Sequence, residues 1–93
     1  MTHAVVLIEA ERDAMSDLGG QLADLDGVGA AYSVTGEWDF VAIVHVARHE
    51  RLREVVSLGI AALPGVVRTQ TMVAFEAFSR HDLEALFDVG AEG

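Results

Sequence analysis

In the stretch SVTGEWDFVAIVHV (residues 33–46) the chain's single tryptophan, Trp38, stands in a turn between two carboxylates, Glu37 and Asp39, two residues after Gly36. Carboxylates beside an aromatic ring suit the rim of a small-molecule pocket, because they supply acceptors next to an apolar wall. The same residues equally make an ordinary hairpin turn with an exposed aromatic, since Gly and Asp are favoured there for backbone reasons alone. Further along, Thr69 and Thr71 are two apart, so a strand would project both hydroxyls from one face. That is also the pattern of any half-wet strand face.

Other chemistry is poorly served. With no cysteine there is no disulfide scaffold, no Cys-ligated zinc and no thiol nucleophile. His45 and His49 are four apart, yet the first falls in an expected strand and the second near a helix start, so they do not project as a metal-binding helical pair. His3 and His81 lie near the ends and read as solvated. Arg48, Arg51 and Arg53 form a small basic cluster that fits an exposed helix face, or a carboxylate of another subunit. The residues therefore imply no metal and no cofactor.

Charge narrows the partners. The formal net charge is −9, with fifteen acidic residues against six arginines and no lysine, so the chain repels phosphate backbones and direct nucleic-acid binding is not expected. The N-terminal apolar run, Ala4 to Ile8, is too short for a signal peptide or a membrane span, which suggests a cytoplasmic location without membrane association. Ninety-three residues make one domain. A chain this size buries only about 60 to 65% of its unfolded surface. With 52% hydrophobic residues and a mean hydropathy of +0.34, self-association is the simplest way to keep the remaining apolar surface dry.

The elements that must position the turn follow from periodicity. Residues 3–10 (HAVVLIEA) form a β-branched run, with Val5 and Leu7 on one face and Val6 and Ile8 on the other. Asp13 is placed to cap a helix whose Met15, Leu18, Leu22 and Leu25 make one stripe, and Gly19 and Gly20 inside it call for close packing or a weak helix. Strand two spans 28–35, with Val28, Ala30, Tyr32 and Val34 on one side. Strand three spans 40–46. Leu52, Val55, Val56, Gly59, Ile60 and Leu63 define a second helix, and 66–78 a fourth strand. Ser79 and Asp82 could cap a short amphipathic tail helix carrying Leu83, Leu86 and Phe87, so that residues 1–78 form the domain and 79–93 a tail.

This order, β-α-β-β-α-β, contains an echo: LADLDGV (22–28) recurs as IAALPGV (60–66), an offset of 38 residues. Two β-α-β halves joined in this way predict an α+β, ferredoxin-like plait: a four-stranded antiparallel sheet with both helices on one face. The other face is then bare. Because strands one and three are apolar on both sides, that face is expected to be buried in a dimer.

The residues VLIE, then LADLDGVGAAYSVTGEWDFVAIVHV, then IAALPGVVRTQTMVAF, in this order and spacing, resemble the ligand-binding (RAM) domain of the Lrp/AsnC, or feast/famine, transcription regulators over about residues 3–78. The likeness is to its stand-alone form, without the DNA-binding helix-turn-helix. Trp38 stands where that family more often has tyrosine or histidine, and residues 79–93 make a longer tail than usual. The resemblance implies a non-enzymatic regulatory module that binds a small effector, usually an amino acid, between dimers that assemble into rings such as octamers. It implies a site built from Tyr32, Val34, Gly36, Glu37, Trp38, Asp39, Thr69 and Thr71. In that site Asp39 or Glu37 would accept from the ammonium, N–H groups around Gly36 would hold the carboxylate, and Trp38 would wall the side chain. Thr69 and Thr71 would reach in from a neighbouring dimer. Any effect on transcription would pass through a partner, such as a full-length relative.

Two other classes share the fold. A structural interaction module would cover a partner's sheet face and ignore amino acids. A dimeric α/β-barrel mono-oxygenase or isomerase would need convergent acids or bases under the sheet, where this chain has apolar residues apart from His45, and it has no asparagine.

Overall fold

The computed structural model describes residues 1–78. Strand β1 is Thr2–Ala10; a 3-10 turn, Arg12–Ala14, leads into helix α1, Met15–Ala23. Strands β2, Val28–Ser33, and β3, Phe40–Val46, form the central hairpin. Helix α2 begins as α-helix over Arg51–Arg53 and continues as π-helix over Glu54–Ile60, and β4 is Val66–Val73. All neighbouring strands are antiparallel, in the order β2-β3-β1-β4. This is the ferredoxin-like α+β plait that the element order predicts.

Alternation decides which face of the sheet is dry. Ala4, Val6 and Ile8 of β1 and Phe40, Ala42, Val44 and Val46 of β3 are buried against Leu18 and Leu22 of α1 and Leu52, Val55 and Ile60 of α2. Val5, Leu7, Val41 and Ile43, on the opposite face, remain half-buried, and Tyr32 and Met72 are exposed beside them. The bare apolar face expected from the two-sided strands is therefore present in the single chain.

Several local expectations are corrected. Asp13 lies in the 3-10 turn, and neither that turn nor α1 has a side-chain cap. Gly29 is the extra residue of a bulge in β2, so Val28, paired with Val44, turns to the core while Ala30 and Tyr32 face away from it. Strand β4 ends at Val73 instead of 78 because it is an edge strand whose one partner runs out: Val73 pairs with Ala4, and the N–H of Ala74 makes one more bond, to the carbonyl of His3. Val67 is also unpaired, since Glu9 lies opposite Arg68 and Ala10 opposite Val66. The tail helix expected at Ser79 and Asp82 to Phe87 lies outside the described residues.

Candidate functional site

The β2–β3 turn is closed by the N–H of Val34 donating to the carbonyl of Asp39 at 3.0 Å, which leaves residues 35–38 as its loop. Gly36 has φ +107°, a conformation that side-chain-bearing residues rarely adopt, and space is open around it. Asp39 is firmly tied. Its N–H donates to the carbonyl of Ile8 at 2.9 Å, and its Oδ2 accepts from the N–H of Ala10 at 2.8 Å, so it prolongs the β1–β3 ladder past the end of the strand. One of the two carboxylates picked out from sequence thus has a structural occupation.

Beside it lies a cluster in which two residues named from sequence, Glu37 and Trp38, meet two that sequence reasoning missed, Glu9 and Arg68. The Arg68 guanidinium carbon sits 4.3 Å from the Trp38 ring centroid, well within cation–π range. Its Nε donates to Glu9 Oε1 at 2.6 Å, and its Nη2 is 3.6 Å from Glu37 Oε2. Glu9, Glu37, Trp38 and Arg68 thus meet at one end of the bare sheet face, with the guanidinium half-exposed between two carboxylates. The signal was hidden because Glu9 and Arg68 are 59 residues apart and meet only through the β1–β4 register.

The remaining expected residues separate into two groups. Tyr32, opposite Val41, is exposed on the bare face, and Val34 sits half-buried at the base of the hairpin. Thr69 and Thr71 lie opposite Ile8 and Val6, which places them on the helix-covered face, away from Arg68 and its cluster. Within one chain they do not join the hairpin site. Thr71 instead lines an open groove of about 530 Å³ between α2 and β4, with His49, Arg53, Ser57, Leu52, Val56 and Val73 among its walls. A second cleft, of about 300 Å³, is acidic and lies between Glu11, Asp13, Asp17, Gln21 and Gly65. The described residues contain no group of three or more His, Cys, Asp or Glu side chains able to hold a metal ion. None of their helices is long and apolar enough to cross a membrane.

The chain is thus a small α+β plait with a charged, aromatic hairpin tip at the margin of a bare sheet face. The family model for the Lrp/AsnC ligand-binding domain matches residues 3–83, and the chain belongs to this family, whose members are regulatory domains of transcription regulators. No curated protein matches it. Among solved structures it is similar to TTHA0845 from Thermus thermophilus, with 44% identity and a TM-score of 0.80 over 86% of this chain and 100% of that one. A feast or famine regulatory protein from M. tuberculosis, solved in complex with L-methionine, is 26% identical with a TM-score of 0.71, over 85% of this chain and 53% of that one. E. coli AsnC shares the fold at 20% identity and a TM-score of 0.77, over 85% of this chain and 54% of its own.

Proposed function

We propose that this domain senses a free amino acid at the hairpin tip of an assembled homo-oligomer and passes the signal to transcription through a protein partner. The observation that carries this reading is the Arg68 guanidinium held over Trp38 between Glu9 and Glu37. A zwitterion needs a cation and an anion at fixed spacing beside an apolar wall, and this cluster offers all three. Arg68 takes the carboxylate, aided by N–H groups around Gly36; Glu37 takes the ammonium, with the remaining lone pairs of Asp39 nearby; Trp38 walls the side chain. Tyr32 and Val34 border the site, and Thr69 and Thr71 reach it only from a neighbouring dimer.

The dimer itself forms through the bare sheet face, and dimers join into higher oligomers. Ligand bound between them favours the assembly that completes the site, to the extent of its differential affinity for the two states. The net charge of −9 opposes direct contact with DNA, so the partner is a protein, with a full-length Lrp/AsnC regulator the natural choice for co-assembly. The L-methionine complex of the mycobacterial relative supports an amino acid as the effector class.

The test is thermal unfolding together with Trp38 emission against each of the twenty amino acids at millimolar concentration. Ligand at about a hundred times its Kd adds roughly 2.7 kcal/mol to the folded state, enough to raise Tm by several degrees. One amino acid, or a few related ones, should shift both signals, and Glu37→Gln and Arg68→Gln should each weaken the response at least about tenfold, near 1.4 kcal/mol. Arg53→Gln, in the α2–β4 groove, should leave it unchanged. If Arg53→Gln abolishes the response and Arg68→Gln does not, the ligand sits in the groove. If no amino acid acts on the wild-type protein, the chain is a structural interaction module.

A further inference from the structure

We infer that His3 and His45 form a binding site for one first-row divalent cation of the copper, nickel and zinc class. The two residues are directly opposite on β1 and β3, and their ring centroids are 4.6 Å apart with the planes tilted by 52°. The ladder makes this the closest kind of cross-strand position. The carbonyl of His3 is directed to β4, where it accepts from Ala74, and the N–H of His45 is directed the other way, to Gly27. His3 and His45 are therefore a non-hydrogen-bonded pair, the type whose side chains approach most closely in an antiparallel sheet.

Nothing among the described residues occupies these rings. Neither imidazole has a side-chain hydrogen bond or a carboxylate partner there. Their lateral neighbours carry no competing side chain: on the β2 side a Cβ on Gly29 would lie 3.8 Å from His45 Cε1 and 3.9 Å from Nδ1, and on the β4 side stands Ala74. Imidazole nitrogens suit copper, nickel and zinc, and a chain of net charge −9 draws cations toward it. Among the described residues no third ligand-type side chain is grouped there, and the pair stands one rung from the end of the β1–β3 ladder, where water completes the coordination shell. Sequence spacing could not show this pair, since its members are 42 positions apart and meet only through strand register.

The test is a calorimetric titration of the full chain with Zn²⁺ after chelator treatment, paired with imidazole ¹⁵N chemical shifts. The expected result is saturable binding of one ion per chain, with shifts confined to His3 and His45. His3→Ala and His45→Gln should each lower the affinity at least tenfold with unchanged far-UV circular dichroism, while His49→Ala keeps it. Absence of saturable binding, or binding retained in both variants, overturns the assignment. The pair is six ladder steps, roughly 20 Å, from the Arg68 cluster. Because His3 and His45 share the bare face with the proposed dimer seam, sedimentation velocity should first show both variants in the wild-type oligomeric state. Loss of ion binding with an unchanged amino-acid response of Trp38 then separates the two readings.

Discussion

Asp39 and Glu37 are neighbours of one type in one turn, yet their environments give them different work. Asp39 accepts from the N–H of Ala10 in a part-buried bond, whereas the Glu37 side chain is 76% exposed. Asp39→Ala should therefore leave the Ala10 N–H without its partner, at a cost of about 1–3 kcal/mol. In a domain of this size each kcal/mol lowers Tm by about 4–8 °C, readable by circular dichroism. Asp39→Asn, whose amide oxygen still accepts, should lose less, and Glu37→Gln should stay within about 0.5 kcal/mol of wild type. Loss of ligand response in Asp39→Ala would mix folding with recognition, which is why Glu37 and Arg68 are the informative positions. The sequence marked both carboxylates because residue type and turn context are local. Which of them is already engaged depends on where β1 ends, and no local signal carries that.

At the scale of elements, the 38-residue echo has a backbone cause. Gly27 and Gly65, the glycines of its two halves, share φ +95° and each precedes a strand that leaves a helix. A Cβ on Gly65 would lie 2.3 Å from the Cβ of Ala14, and one on Gly27 would lie 2.6 Å from Val55 Cγ2. Gly65→Ala thus combines a left-handed backbone with a clash against a side chain that has no freedom to turn away, and should cost about 2–4 kcal/mol. A fall in Tm of less than about 5 °C would contradict this. Gly20 is the opposite case, a helical glycine in α1 with nothing within 4 Å of a Cβ, and Gly20→Ala should stabilise by about 0.4–1 kcal/mol. Adjacent Gly19 would meet the Phe40 ring at 3.3 Å and should not share the gain, which is the close packing that one of the paired glycines implied. Element order and helix stripes were legible because period and turn chemistry are local properties. The Gly29 and Val67 bulges, the π-helical course of α2 and the early end of β4 were not, since each reflects what a neighbouring element offers to pair with or pack against.

For the whole molecule, the two faces of the sheet obey different solvents. One is closed by the helices; the other presents Val5, Leu7, Val41 and Ile43 with Tyr32 and Met72, and just beyond β4 the side chains of Phe75 and Phe78 are fully or nearly fully exposed. A continuous apolar surface of this kind on so small a chain calls for cover. In the proposed dimer a two-fold axis would pair this face with itself, so any substitution there would act twice. Ile43→Glu would set an unpaired carboxylate at the centre of each face. At about 1–3 kcal/mol or more for each buried unsatisfied group, the pair should dissociate a micromolar complex. Sedimentation velocity should show wild type as a dimer or larger and Ile43→Glu as a folded monomer, while Leu58→Glu, at an exposed site on α2, should sediment like wild type. A wild-type monomer at tens of micromolar would remove the assembly from the proposed mechanism and leave the Arg68 cluster to bind its ligand within a single chain. The amino-acid response should in turn weaken in Ile43→Glu, even though Ile43 lies away from Trp38 along the strand, because a site shared between dimers is lost with the dimer.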